Sequence, residues 1–261
     1  MNDRIRELEE SLLALGRPRP SFAGFGAVVR SIAAAREWDA ANPEAAARHR
    51  AITAELEREI SAYERREAEE KRIERALRHS AHKLERSGVG QRALEAAANA
   101  QDTEALEAVR RWLGDHSKTW LVLCGAKGTG KSVAATWAVR EACRTGSDGA
   151  FRRASELAKL SGFDAGAAEV EYLKRVSLLV IDDVGAETQT DWAKAQLHEL
   201  ADYRHEFYGR TVITSNLRWF PSREDAAGLV GRLGERIADR VAQAGTVVQL
   251  SARPSMRRGT A

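Results

Sequence analysis

The chain has 261 residues, 43% of them apolar and 30% charged, which is enough for one large domain or two smaller ones. Lysine and arginine (41) nearly balance aspartate and glutamate (38), and the resulting net charge of +3 is too small to establish a nucleic-acid partner by itself. No stretch approaches the roughly 18 consecutive apolar residues of a membrane span, and the opening MNDRIRELEE lacks the apolar core of a signal peptide, so a cytoplasmic protein with no membrane partner is expected.

RIRELEESLLAL (4–15) places Ile5, Leu8, Leu12, Leu13 and Leu15 close to one side of a helix. GRPRPSFAGFGA (16–27) interrupts it with two prolines and three glycines. A second helix is predicted to start at NPEA, where Asn42 caps, Pro43 suits the first turn and Glu44 favours the positive end. No breaker follows until about Arg86. Ile52, Leu56, Ile60 and Tyr63 form an apolar stripe that Ile73, Leu77 and Leu84 resume, with only Ala68 in the ERREAEEKR between them. That seam is thin for a coiled coil, so a long helix with a charged, partly exposed middle is expected, packed on a neighbour or partner. Basic residues gather in KRIERALRHSAHKLER (71–86) and again from Arg204 to RPSMRRGT. Such patches attract polyanions through counterion release, or simply keep a surface solvated.

Composition changes near residue 90, with a boundary at SGVGQ (87–91). Thr103 is placed to cap a helix carrying Leu106, Val109 and Leu113, and TWLVLCG (119–125) reads as a buried strand. Lys131 to Cys143 reads as a helix, AFRRASEL (150–157) as a strand leading into a short helix, and VSLLVIDDVG (176–185) as an apolar strand ending in two acids. Thr190 caps DWAKAQLHELADYRHEFYG, with Leu197, Leu200 and Tyr203 or Arg204 on successive turns and Gly209 as a stop. RTVITSNL (210–217) is another strand, GRLGERIADRVAQAG (231–245) a helix, and GTVVQLS (245–251) the last strand. Buried strands separated by helices imply a mainly parallel sheet with helices on both faces. Cys124 and Cys143 have no metal or disulfide spacing and read as reduced, buried thiols.

GAKGTGKS fits G-x-x-x-x-G-K-[ST] at every fixed position. Gly125, Gly128 and Gly130 let the backbone curl, so that N–H groups along Gly125, Ala126, Lys127, Gly128, Thr129, Gly130, Lys131 and Ser132 point into one concavity. Lys131 reaches the outer phosphates of ATP, Ser132 offers a hydroxyl to Mg²⁺, and the next helix adds its positive N-terminal end. The loop follows an apolar strand and opens a helix, the context that separates a phosphate cradle from a chance Gly-rich turn. Asp182, about fifty residues on, is placed to hold Mg²⁺ through water, and Asp183 to orient or deprotonate the attacking water. The alternative for the two acids is a pair of helix caps. Asn216 ends an apolar strand. It either starts a turn or, if that strand lies between the cradle strand and the acid strand, faces the γ-phosphate. Arg236 and Arg240 share one helix face, either as surface partners of Glu235 and Asp239 or with one guanidinium entering the nucleotide site of the next subunit.

Together, GAKGTGKS, LLVIDDVGAET, DWAKAQL, RTVITSNL and LGERIADRV resemble the AAA+ ATPase core of the bacterial DnaC and IstB family, over about residues 92 to 251. The resemblance implies an α/β P-loop fold without a lid subdomain, preceded by an all-helical N-terminal region. It implies Walker A for Lys131 and Ser132, Walker B for Asp182 and Asp183, sensor 1 for Asn216, and an arginine-finger block for Arg236 and Arg240, with Arg240 as the finger proper. Many AAA+ proteins carry glutamate where Asp183 stands, and the shorter side chain predicts slow hydrolysis. A sensor 2 role for Arg253 or Arg257 is doubtful.

The implied organisation is a partner-binding region over 1–90, an ATPase domain over 91–252 and a basic tail over 253–261. The implied function is an ATP- and Mg²⁺-dependent helicase loader. It would self-assemble when ATP-bound, hold single-stranded DNA (with Arg152, Arg153 or the tail arginines as candidate contacts) and present residues 1–90 to a replicative DNA helicase. The alternative on the same core is a transposase helper that binds duplex DNA. A small-molecule P-loop kinase would need a substrate pocket and usually a lid, and a non-catalytic adapter would bind ATP without turnover.

Overall fold

The computed structural model describes residues 3–160, 165–185, 191–223 and 225–251. The chain forms two compact units, Met1–Arg75 and Ala76–Ala261.

The first unit is helical: α1 (Asp3–Ala14), α2 (Phe25–Ala41) and the greater part of α3 (Pro43–Arg86). Ile5 and Leu8 of α1, Ala35 of α2 and Ala46 of α3 are its buried apolar residues. Charge pairs supplement this small core. Arg4 reaches Glu55 at 2.6 Å, and Arg17 grips Asp39 with two parallel bonds of 2.8 and 2.7 Å. The α2 helix was not anticipated, because the glycines around Phe25 masked an alanine-rich stretch of high helix propensity. Its presence corrects the role of Asn42. The Asn42 side-chain amide donates to Trp38 O at 3.0 Å and so closes α2, while its carbonyl accepts the first bond of α3 from the Ala46 N–H at 2.9 Å. The α3 helix does run unbroken over 44 residues. The units divide inside it, ahead of the composition change at 87–91, since its last turns belong to the second unit: Leu84 packs into that core and Lys83 pairs with Asp148 at 3.3 Å.

The second unit continues with α4 (Gln91–Ala98), α5 (Glu104–Gly114), β1 (Trp120–Cys124), α6 (Lys131–Arg144), β2 (Gly149–Arg153), α7 (Ala154–Leu157), α8 (Ala165–Arg175), β3 (Leu178–Asp182) and α9 (Asp191–Glu206). Then come β4 (Arg210–Ser215), α10 (Gly228–Leu233), α11 (Glu235–Ala244) and β5 (Gly245–Gln249). The predicted cap on α5 is present, Thr103 Oγ1 accepting from the Leu106 N–H at 3.2 Å. The sequence reading missed α4, α8 and α10, which lie in short segments without a long apolar period. Thr190, expected to cap α9, and Arg253 and Arg257 lie outside the described residues.

The five strands form one parallel sheet in the order β2-β3-β4-β1-β5. Alternate residues of each strand feed two cores. On one face Trp120, Val122, Cys124, Leu179, Ile181 and Ile213 pack with Leu200, Leu233, Ile237 and Val241 of α9 to α11. On the other, Leu121, Leu123, Val180 and Val212 pack with Leu106 and Val109 of α5 and Ala135 and Val139 of α6. The condition set by the sequence for Asn216 is met: β4 lies between β1 and β3, pairing Leu123 with Thr214 on one side and Ile181 with Ile213 on the other.

Candidate functional site

The carboxyl ends of β1, β3 and β4 are neighbours, so the residues that follow them converge on one edge of the sheet. This is where parallel α/β sheets bind ligands. Cys124 ends β1, and the chain turns at once into the loop from Gly125 to Gly130 before α6 begins at Lys131.

The backbone of that loop depends on glycine. Gly125 has φ 144°, and a Cβ there would lie 2.9 Å from Leu250 O, so the close approach of the chain after β5 permits no side chain. Gly130, the residue before α6, has φ 87° and passes close to Thr103. The Lys131 ammonium folds back over the loop, donating to Gly125 O and Ala126 O at 2.8 Å each and to Thr129 Oγ1 at 3.3 Å. Burial pushes this ammonium below its usual range, while Asp182 and Asp183 pull it back up. The arrangement favours an anion that would add charge stabilisation. Beside it, burial raises the pKa of the Cys124 thiol to about 12, which keeps it protonated and inert, in accord with a structural thiol.

Two acids close the other side. Asp182, the last residue of β3, is buried and accepts hydrogen bonds from Ser132 Oγ at 2.8 Å and Thr214 Oγ1 at 2.5 Å. Asp183 lies just past the strand with φ 61°, a conformation that aspartate tolerates better than most residues. Its N–H donates to Thr214 Oγ1 at 3.0 Å, and its carboxylate accepts from Asn216 Nδ2 at 2.5 Å. Thr214 thus holds both acids in register, a part the sequence reading did not assign. A polar residue near the end of an otherwise apolar strand was the available signal.

Between α4, the 99–103 segment and the start of α6 lies a cavity of about 300 Å³. Ala96, Asn99, Thr103, Leu106, Gly130 and Val133 are among its walls. Mostly apolar walls with a few polar groups suit a flat organic ring. Sequence reasoning missed this wall, because no element had been assigned to 91–98.

Arg236 and Arg240 stand apart from this cluster on α11. Their ion pairs run to Asp202 of α9, at 2.6 and 2.7 Å, and not to Glu235 or Asp239 as the sequence had suggested for the surface alternative. Arg152 is engaged within the fold by Glu169 at 2.6 Å and by Ser87 O at 2.7 Å, whereas Arg153 is exposed. Among the described residues no helix is long and apolar enough to cross a membrane.

The parallel sheet, with a glycine-built loop and paired acids at its carboxyl edge, defines a protein of the P-loop fold. The family described as IstB-like ATP binding protein matches residues 31–260, and the chain belongs to that family. A protein of Sinorhizobium fredii named as a putative insertion sequence ATP-binding protein, y4pL, is 32% identical over 112 residues, which cover 41% of this chain. The match spans 44% of that relative's length. Among solved structures, the DnaC helicase loader superposes with a TM-score of 0.51 at 21% identity, over 62% of this chain and 100% of that one. AMPPCP-bound DnaA from Aquifex aeolicus does so with a TM-score of 0.51 at 19% identity, over 62% of this chain and 51% of that one. These two likenesses concern the fold.

Proposed function

We propose that this protein is a slow, Mg²⁺-dependent ATPase whose ATP-bound form assembles on DNA and assists a transposase. The observation that carries the reading is the convergence of Lys131, Ser132, Asp182, Asp183 and Asn216 at the ends of three adjacent strands, with Ser132 bonded to Asp182 at 2.8 Å and Asn216 to Asp183 at 2.5 Å. Lys131 and the loop amides bind the phosphates, and the cavity beside α4 takes the base. Ser132 and Asp182, whose oxygens already meet, would hold Mg²⁺ with the phosphates and water. Bound there, the metal would offset charge on the phosphate oxygens. Asp183 takes the proton of the attacking water, and Asn216 orients that carboxylate and senses the terminal phosphate. One guanidinium of the Arg236 and Arg240 pair acts on the site of a neighbouring copy, so that ATP binding promotes assembly and hydrolysis ends it.

The transposase-helper reading is preferred to the helicase loader on the strength of the family match, which begins at residue 31 and therefore takes in most of the N-terminal region where the two functions would differ. The insertion-sequence relative points the same way.

The test has two arms. With Lys131→Ala, ATP affinity and ATP-dependent self-association are expected to fall together; full retention of both overturns the ATPase reading. Mixing Lys131→Ala subunits with subunits carrying Arg236→Ala and Arg240→Ala should restore hydrolysis that neither shows alone. Sedimentation on duplex and single-stranded DNA with ATP separates the partners: filaments on duplex support the helper, whereas preference for single strands with capture of a ring helicase supports the loader.

A further inference from the structure

The α11 helix is fixed about its axis by Ile237 and Val241, both buried against the sheet, which leaves Arg236 and Arg240 one position back along the same flank. Four residues apart, the two guanidinium groups are neighbours and repel. A single carboxylate lies between them. Asp202, on α9, takes Arg236 Nη2 on Oδ2 at 2.6 Å and Arg240 Nη2 on Oδ1 at 2.7 Å. The trio therefore keeps one positive charge more than its acid can neutralise.

The two arginines are not equivalent in this arrangement. The Arg240 side chain is 22% exposed, faces Asp202 as a charge pair without a hydrogen bond, and donates through Nη1 to Arg236 O at 3.1 Å, so it is bound into the helix surface. The Arg236 side chain is 64% exposed and hangs on Asp202 by one bond. The sequence reading named Arg240 as the finger proper; Arg236 is the more exposed of the two.

We propose that Asp202 is a counter-ion in cis that parks Arg236 on its own subunit, and that ATP-driven assembly exchanges this carboxylate for the triphosphate of the next copy. The inference rests on the trans-acting role given above to the arginine pair and adds which arginine moves and what restrains it. A triphosphate carries more charge than one carboxylate and offers the planar guanidinium a two-pronged contact, which Asp202, shared between two arginines, does not. The exchange is therefore favourable only when a loaded neighbour is present, and unloaded subunits keep Arg236 bound to Asp202. Arg240, held by its extra bond to the backbone, stays as the strut that keeps Asp202 in place.

The experiment measures self-association of the full-length protein by sedimentation velocity, with ATP and Mg²⁺ and without nucleotide, for the wild type, Asp202→Asn, Asp202→Glu, Arg236→Ala and the double variant Asp202→Asn/Arg236→Ala. Asp202→Asn should lower the concentration for half-maximal ATP-dependent assembly about two- to fivefold, the size of one partly exposed ion pair. It should leave the nucleotide-free protein unchanged. Asp202→Glu should stay within about twofold of wild type. In the Arg236→Ala background the asparagine should have no further effect. No shift with Asp202→Asn, a shift to higher concentration, or the same shift in the absence of Arg236 each overturns the proposal. Equal thermal unfolding temperatures for Asp202→Asn and wild type exclude a folding defect. If Arg236→Ala and Arg240→Ala together leave assembly and hydrolysis untouched, the trans-acting reading itself has failed, an outcome distinct from a silent Asp202→Asn.

Discussion

Asp183 stands at φ 61° with its carboxylate against the Asn216 amide, an arrangement that suits aspartate. A short side chain that can bond to nearby groups is what the left-handed region tolerates. Asparagine shares that tolerance, so Asp183→Asn should preserve backbone and ATP affinity while removing the proposed proton acceptor. Phosphate release at saturating ATP should fall roughly a hundredfold or more, with nucleotide affinity measured in parallel to show that binding survives. The meeting of Ser132 with Asp182 beside Lys131 was legible from residue type and spacing. The φ of Asp183, the dual bond of Thr214 and the pairing of Asp202 were not, since each depends on a neighbour contributed by another strand or helix.

Arg204 shows the same limit in α9. The periodicity marked it as one of two candidates for an inward turn, but gave no reason for burying a guanidinium that the structure excludes wholly from solvent. Its five donors supply the reason. They reach Leu173 O at 2.9 Å, Val176 O at 2.8 Å, Arg210 O at 2.6 Å and Thr211 Oγ1 at 2.8 Å, and so tie the end of α8 to α9 and to the first residues of β4. Burial pushes its pKa down to about 9, which leaves it charged at neutral pH. Arg204→Met would leave these carbonyls buried without donors, and at about 1–3 kcal/mol for each orphaned group the loss should be roughly 3 kcal/mol or more. Urea denaturation would show it as a lower midpoint with an unchanged slope. The long, strongly patterned elements were readable: α3 from Pro43, Glu44 and its apolar stripe, and β1, β3 and β4 from their apolar runs. The α4 helix was not. Its alanines carry little signal, yet it forms one wall of the cavity.

The separation into Met1–Arg75 and Ala76–Ala261 has a thermodynamic consequence, because every candidate nucleotide contact lies in the second unit. ATP with Mg²⁺ should therefore stabilise one unit and not the other. At a hundredfold excess over the dissociation constant the gain is about 2.7 kcal/mol. Hydrogen exchange followed by mass spectrometry should show added protection in the core strands of the second unit, with amides of α1 and α2 unchanged. The parallel sheet was evident from the alternation of apolar runs and helical patterns, but strand order was not, since apolar strands of similar composition can be permuted without altering the pattern.

The loop from Gly125 to Ser132 is contiguous in sequence, yet it hangs between two strands that come much later. The Gly125 N–H donates to Ser215 O at 3.2 Å, and the Leu250 N–H donates to Cys124 O at 2.8 Å, with the Leu250 carbonyl resting against the glycine. A ribosome that has not yet reached β4 has already made the whole phosphate cradle without making the support that shapes it. The nascent chain should thus be blind to ATP until β4 and β5 have joined β1, and nucleotide capture becomes a report that synthesis of the sheet is finished.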